Sequence, residues 1–236
     1  MQLKILHLCY ADHHGGGAIG AYRLHRAMLD QGIDSKLLVV RKHRKDDDSI
    51  IRMVRFRRIL ITSWHRLTKQ ILKLQKSHIN IYRSMNLFPT GTHRVINKIS
   101  PDIVQMHWIN TNTISIGEIT KIKAPVVWKL PDMWAFCGTE HYVDESNVKR
   151  YREGYTKNNR HKNDKGVDID RMVWQYKKVR WRNFKLTIVC PSKWLASKAR
   201  ESELFKDYKI VSIMNPLDTQ LFKPTRDSGI RKRFGL

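Results

Sequence analysis

The segment from Asp132 to Tyr142 concentrates the side chains best suited to chemistry. Within eleven residues it carries two carboxylates, an imidazole and a phenol around a glycine, namely Asp132, Glu140, His141, Tyr142 and Gly138. Carboxylate and imidazole groups that lie close together bind hydroxyl groups well and can transfer protons. The structural alternative is a loop whose Trp and Phe residues fill the core while its polar residues face water. Residue chemistry alone leaves both interpretations open.

Two further features point to a ligand site. Gly15, Gly16 and Gly17 follow a predicted strand and begin a predicted helix, where glycines let the backbone approach an anion such as a diphosphate. A tight strand-to-helix turn explains them equally well, and their spacing is not the dinucleotide-binding fingerprint. His107 and Asp132 are each expected at the carboxyl end of a parallel strand, where open α/β sheets bind ligands. A lone histidine at such a position is also compatible with a purely structural role.

Strands and helices alternate around these residues. Ser192 stands where the N-cap of a helix is expected. Helices are predicted over 18–29, 114–122, 171–184 and from 192, and a further helix is predicted to end with 95–99. Strands are predicted over 3–9, 35–40, 103–107, 125–130, 186–190 and 210–214. This order predicts an α/β chain with a Rossmann-like, doubly wound parallel sheet.

Two segments interrupt the alternation. Residues 41–84 form a basic helical insertion, in which the apolar residues fall within about 80° of arc on a helical wheel and the basic residues gather opposite. The apolar positions are Phe56, Leu60, Trp64, Leu67, Ile71 and Leu74, and the basic ones are Arg58, Arg66, Lys69, Lys73 and Lys76. Residues 142–170 are polar and poor in large aliphatic residues, so a loop or lid is predicted there.

The net charge of the 236-residue chain is +24, which predicts attraction to nucleic acid, an anionic membrane or phosphorylated substrates. Residues 174–182 interleave aromatic and basic side chains, as single-strand binders do. Helical spacing explains this run more simply, with Val173, Tyr176 and Val179 facing inward and the cations facing water. No nucleic-acid-binding motif occurs, so nucleic acid is a disfavoured partner.

The three cysteines, Cys9, Cys137 and Cys190, provide neither a zinc spacing nor a disulfide framework. We interpret them as ordinary core residues in a reducing compartment. A cytoplasmic protein is therefore expected, held peripherally at the inner face of the cytoplasmic membrane if the basic helix contacts lipid.

At this point the sequence resembles the retaining GT-B glycosyltransferases of the large bacterial group 1, or family 4, type, which build cell-surface polysaccharides and glycolipids. The most specific pieces are Pro-Ser-Lys-Trp-Leu at 191–195 and Asn-Pro-Leu-Asp-Thr at 215–219, in that order. The other matching segments are 4–7 with the glycine loop and 21–25, 101–104 with 107–110, 132–142, 159–160, 166–168, 189–190 and 222–224.

The resemblance implies a sugar transfer from a nucleotide-sugar to a glycan or lipid-linked acceptor. Residues 1–224 would be the N-terminal, acceptor-side domain, and residues 225–236 the start of a truncated C-terminal nucleotide-sugar-binding domain, so the chain alone is expected to be incomplete and inactive. Asp132, Glu140 and His141 would be catalytic, and Gly15, Gly16 and Gly17 would face the donor diphosphate. The acceptor would contact His107, Trp134, Tyr142, Asn159 and Arg160. No metal and no cofactor besides the nucleotide-sugar co-substrate is expected.

Two departures from the resemblance concern the site. Many relatives carry a histidine where this chain has Pro131, so the role of that side chain at the donor sugar is vacant or moved. Many also carry cysteines in the loop corresponding to 142–170, which has none here. The rival interpretations are a non-catalytic acceptor-binding module and a basic nucleic-acid-binding protein.

Overall fold

A computed structural model describes residues 2–143, 148–224 and 228–235 of the chain. Parts of two predicted segments, 144–147 of the loop or lid and 225–227 and 236 of the second-domain start, lie outside the described residues. The strands are β1 (Lys4–Ala11), β2 (Asp34–Arg41), β3 (Ile50–Arg52), β4 (Gln75–Lys76), β5 (Ile103–Met106), β6 (Val126–Lys129), β7 (Lys165–Gly166), β8 (Leu186–Cys190) and β9 (Lys209–Ser212). The helices are α1 (Gly16–Asp30), α2 (Arg55–Leu72), α3 (Thr92–Ile99), α4 (Ile116–Ile119), α5 (Val148–Glu153), α6 (Ile169–Trp181), α7 (Lys193–Glu201) and α8 (Ser228–Arg233).

Seven strands form one parallel sheet in the order β3-β2-β1-β5-β6-β8-β9. The chain moves outward from β1 to β3 and then returns to the other side of β1 with β5, so the strand order reverses beside β1. Successive side chains of β1 enter different apolar clusters, Leu6 and Leu8 one cluster and Cys9 and Ala11 the other. Both faces of the sheet are therefore covered, and the predicted Rossmann-like, doubly wound sheet is confirmed.

The basic segment 41–84 is helical only in part. Its helix, α2, lies where the apolar periodicity predicts one, but Ile50–Arg52 adds the edge strand β3 and Gln75–Lys76 pairs with β7 in a separate antiparallel ribbon. A three-residue edge strand has too few residues to show a period, so pattern reasoning missed it. Among the described helices, none is long and apolar enough to cross a membrane.

Residues 148–170 are more ordered than a loop. They contain α5, β7 and the start of α6, and Tyr151 and Tyr155 are each only 1% exposed. Tyr155 stacks on Trp174 with ring centroids 5.6 Å apart. Aromatic anchors replace the missing aliphatic residues here, which explains why low aliphatic content was a misleading signal.

The buried face of α6 also differs from its prediction. Val173 is buried as expected, but Tyr176 is 37% and Val179 is 74% exposed. The buried face instead carries Trp174, Lys177 and Trp181. The large indole rings enter the core and Lys177 enters with them, because backbone carbonyl groups below the helix accept hydrogen bonds from its ammonium group.

Candidate functional site

A cavity of about 450 Å³ opens at the carboxyl ends of the parallel strands, beside the point where the strand order reverses. In open α/β sheets this is where ligands bind. Its walls come from the ends of β1, β5 and β6, from the start of α1, and from Pro191 and Asn215 after β8 and β9. Segments from near the beginning and near the end of the chain therefore line the same cavity.

The glycine loop forms one wall, and two of its three glycines have a structural reason to be glycine. Gly15 has φ of 88°, a left-handed conformation that disfavours other residues, and it stands at the N-cap of α1 with no side-chain cap. A Cβ on Gly17 would lie 2.8 Å from Cβ of Trp108, whereas Gly16 has open space. All three line the cavity, and the unsatisfied N–H groups at this helix start suit an anion.

His107 lines the cavity but is only 3% exposed. Its Nε2 lies 2.9 Å from Nδ1 of His7, and the two rings stack. Burial is the main cause that lowers the pKa of His107 well below its ordinary value and that of His7 to about 3. Both imidazoles are therefore neutral at pH 7, so His107 can donate or accept a hydrogen bond but is a poor proton source.

Asp132 is held in place from two sides. Its Oδ1 accepts a hydrogen bond from the backbone N–H of Trp134 at 3.0 Å, and its Oδ2 lies 2.6 Å from Nδ1 of His141. Nε2 of His141 in turn lies 3.0 Å from Oγ of Ser84. Asp132 lines the cavity, whereas His141 is 2% exposed behind it and is outside the cavity lining. With both ring nitrogens engaged, His141 is placed to orient Asp132 rather than to contact a substrate.

Glu140 points away from this pair. Its side chain is 4% exposed, and Oε1 accepts a hydrogen bond from the Tyr155 hydroxyl at 3.1 Å. Burial, followed by repulsion from Asp170, raises the pKa of Glu140 to about 8. The three residues predicted to be catalytic therefore do not share one open pocket, because only Asp132 lines the cavity. The backbone of Glu140 forms an isolated antiparallel β-bridge with that of Arg83, so this segment is extended. Neighbouring side chains of an extended segment, such as those of Glu140 and His141, project to opposite sides.

The residues predicted to contact an acceptor are also divided. Tyr142 lines the cavity and is 59% exposed. Trp134 is a core residue, whose indole N–H donates to the Ser84 carbonyl at 2.7 Å. Asn159 and Arg160 lie outside the cavity lining, where both hydrogen-bond to nearby backbone carbonyl groups of the 154–166 segment.

Sequence reasoning missed Lys129, Tyr10 and Trp108, which all line the cavity. Tyr10 and Trp108 meet edge to face with centroids 5.9 Å apart. The signal for Lys129 was present, since a lysine ends an otherwise apolar strand and is followed by Leu130. A cation in such a run is unusual because burying its charge is unfavourable.

One group of potential metal ligands occurs in the part of the chain that the structure describes, consisting of His78, His161 and Asp164 beside the β4–β7 ribbon. His78 Nδ1 lies 2.7 Å from Asp164 Oδ1, and the His78 and His161 rings stack with centroids 3.6 Å apart. Stacked rings direct their in-plane lone pairs side by side rather than to one point. The group therefore has the geometry of a stacked, hydrogen-bonded cluster, and the expectation that the protein uses no metal remains a prediction.

No protein-family model matches the sequence, and no curated protein matches it. Among the solved structures that resemble the fold are HepE and LpCGTa. HepE from Anabaena, in complex with UDP-glucose, is 13% identical with a TM-score of 0.47, over 99% of this chain and 50% of that one. LpCGTa, in complex with UDP, is 9% identical with a TM-score of 0.41, over 94% of this chain and 55% of that one. The chain thus spans about half the length of either structure, and both TM-scores are too low to support a functional argument.

Proposed function

We propose that this chain forms the acceptor-side half of a retaining GT-B glycosyltransferase. The enzyme would transfer a sugar from a nucleotide-sugar to a polysaccharide or lipid-linked acceptor in surface-glycan biosynthesis. One observation carries the proposal: the uncapped start of α1 and the oriented carboxylate of Asp132 face the same cavity at the switch point of the sheet. An anion-binding wall opposite a hydrogen-bond acceptor suits a donor phosphate and an acceptor hydroxyl.

The residues would divide the work as follows. Backbone N–H groups at Gly16 and Gly17 would stabilise the charge that develops on the leaving diphosphate. Asp132 would accept a hydrogen bond from the acceptor hydroxyl, held in position by His141, while neutral His107 would bind another hydroxyl. Fixed backbone dipoles and protein cations supply the stabilisation in this scheme, so the proposed reaction needs no metal and no cofactor beyond the nucleotide-sugar.

The experiment is a titration of the isotopically labelled chain with nucleotide-sugars and with the matching nucleosides, followed by backbone amide chemical shifts. We expect the nucleotide-sugars to shift the Gly16 and Gly17 amides and the nucleosides to leave them unchanged, because only the former carry phosphates. Gly16→Val should remove the response without unfolding the chain, since Gly16 has open space around it. The same replacement at exposed Ser63, on α2, is the control. Shifts that are absent, or that map elsewhere, contradict the proposal.

The proposed location is the inner face of the cytoplasmic membrane, in contact through α2. Only Ile61 and Thr68 of this helix are fully buried, and Trp64 packs on Phe88 with centroids 4.7 Å apart. Phe56 is 74% exposed, and Ile59, Leu67 and Leu74 are also exposed to solvent. Exposed apolar residues flanked by Arg66, Lys69, Lys73 and Lys76 are typical of helices that lie on anionic lipid.

Liposome sedimentation tests this location. Binding should require anionic lipid and weaken with salt, because exposed charges are screened within about 10 Å at 0.1 M ionic strength. Changing the four basic residues to Glu should abolish it. Binding that survives this change, or that is equal on neutral vesicles, contradicts the contact. A steeply salt-dependent gel shift with nucleic acid would instead favour the rival interpretation of the +24 charge.

A further inference from the structure

Lys129 is a buried cation that faces the cavity. It is the last residue of β6, in the interior of the sheet between β5 and β8, and its side chain is 6% exposed. The residues before it, Val126 to Trp128, are apolar, as expected for a strand covered on both faces. The ammonium group is partly desolvated at the cavity, and this burial lowers its pKa below the ordinary 10.5.

No hydrogen bond or ion pair reaches the Lys129 ammonium group from residues 2–143, 148–224 or 228–235. The nearby imidazoles of His7 and His107 are neutral, and the charge of Lys129 is itself one cause of their lowered pKa values. Asp132 lines the same cavity, but its carboxylate is engaged by His141 and the Trp134 N–H and forms no ion pair with Lys129.

The other two buried Lys and Arg residues in the described part of the chain, Arg150 and Lys177, have partners within the protein. Arg150 lies 2.6 Å from Asp168, and Lys177 donates to three carbonyl oxygens. A partly desolvated charge without a partner in the protein is unfavourable, so its retention beside a cavity points to a partner that arrives from solution.

A second feature of the same cavity favours the same partner. The fifteen-residue helix α1 begins there at Gly16, and it has neither a side-chain cap nor an acidic residue in its first turn. The positive end of the helix and Lys129 therefore line one space. Trp108 and Tyr142 supply aromatic walls beside them, which suit the apolar face of a sugar ring.

We propose that Lys129 binds an oxyanion, a phosphate or a carboxylate, carried by a substrate in this cavity. The proposal deepens the proposed function, on which it rests for the identity of the substrate as a sugar. Two sources share this chemistry: the diphosphate of the donor, and an acidic group on the sugar of the acceptor. In either case Lys129 would select a charged ligand over its neutral counterpart.

The experiment measures binding of three probes, inorganic pyrophosphate, glucuronate and glucose, by calorimetry and amide chemical shifts. The variants are Lys129→Met, which removes the charge at similar volume, Lys129→Arg, which keeps it, and Lys98→Met as an exposed control on α3. We expect at least one anion to bind better than glucose. Lys129→Met should weaken that anion by about tenfold or more, which corresponds to ~1.4 kcal/mol. Lys98→Met should match the unmodified chain, and Lys129→Arg should retain most of the binding.

The two anions identify the source. A loss confined to pyrophosphate assigns Lys129 to the donor diphosphate, and a loss confined to glucuronate assigns it to an acidic acceptor sugar. Equal binding of both anions to Lys129→Met and to the unmodified chain overturns the proposal, and so does failure of both anions to bind the unmodified chain. If nucleotide-sugars still shift the Gly16 and Gly17 amides in that case, the proposed function stands and only the role of Lys129 fails. Circular dichroism and melting temperature verify that each variant is folded.

Discussion

Lys129 and Lys177 are both buried lysines, yet their surroundings differ in every respect that matters for a charge. The Lys177 ammonium lies in the core, 2.5 Å from the Trp134 carbonyl oxygen, 2.7 Å from that of Gly138 and 3.0 Å from that of Cys137. It also lies 3.7 Å from the centroid of the Trp134 ring. Lys129 lines a cavity and has no such partners among the described residues.

The difference separates a structural charge from a functional one. Three acceptors match the three N–H groups of an ammonium ion, so Lys177 fastens α6 to the 134–138 loop even though burial lowers its pKa to about 7. The Lys129 ammonium group links no two of the described segments through a hydrogen bond or an ion pair. Burial alone does not identify a site residue, whereas burial without a partner beside open space does.

The largest expected effect is that of Lys177→Met. The change leaves three buried carbonyl groups without this donor, at about 1–3 kcal/mol for each, so the free energy of unfolding should fall by about 3–5 kcal/mol or more. Urea unfolding followed by circular dichroism measures it. The adjacent Lys178→Met is the matched control, because its ion pair with Glu203 is exposed and should matter by less than about 1 kcal/mol. Equal effects of the two changes would remove the distinction drawn for Lys177.

The next effect concerns Glu140, close to the same loop, and depends on pH. Because its pKa is raised from 4.5 to about 8, the folded state retains a proton that the unfolded state releases. Its favourable contribution is complete below pH 4.5 and is lost as the pH rises to about 8, with a slope approaching ~1.4 kcal/mol per pH unit.

Glu140→Gln should therefore be more stable than the unmodified chain near pH 8 and similar to it near pH 4. Melting temperatures across this range measure the difference, with exposed Glu153→Gln as the control. A difference that does not change with pH would show that Glu140 does not titrate in this window.

A smaller effect is expected for His141→Ala, which tests the partnered carboxylate of the cavity. Removing His141 takes a hydrogen-bond partner from both Asp132 and Ser84, so stability should fall by about 1–3 kcal/mol. Thermal or urea unfolding measures the loss. In an active enzyme, a positioning role predicts partial rescue by Asn, whose amide can still donate to Asp132. A turnover loss of about 10²–10⁴ with unchanged stability would instead indicate that His141 acts directly as a general base.

The smallest effect is that of Lys129→Met on stability. Removing a buried charge that lacks a partner should leave the free energy of unfolding unchanged or raise it by about 1 kcal/mol. The same urea experiment measures it, directly beside Lys177→Met. A loss as large as that of Lys177→Met would mean that Lys129 is structural after all and would abolish the contrast between the two lysines.

Short-range sequence patterns were sufficient to predict most strands of the main sheet and one helix cap. Apolar runs located the strands from β1 to β9 that build the main sheet, except the short β3, and the cap at Ser192 is confirmed by its hydrogen bond from the Leu195 N–H at 3.1 Å. The glycine loop, His107, Asp132 and Tyr142 all line the cavity, because the carboxyl ends of parallel strands meet at one edge of a sheet. Their predicted roles remain predictions.

What only the tertiary structure decided is where each polar side chain points and what satisfies it. Glu140 and His141 are neighbours in sequence but project to opposite sides of an extended segment, and Asn159 and Arg160 hydrogen-bond within their own segment. Lys129 and Lys177 are the same residue type, and no local pattern tells a lysine with three carbonyl partners from one with none. The sequence by itself determined the sheet and the edge of the sheet at which the cavity lies. The partners of a buried charge come from segments distant in sequence, so the packing of those segments decided the chemistry inside the cavity.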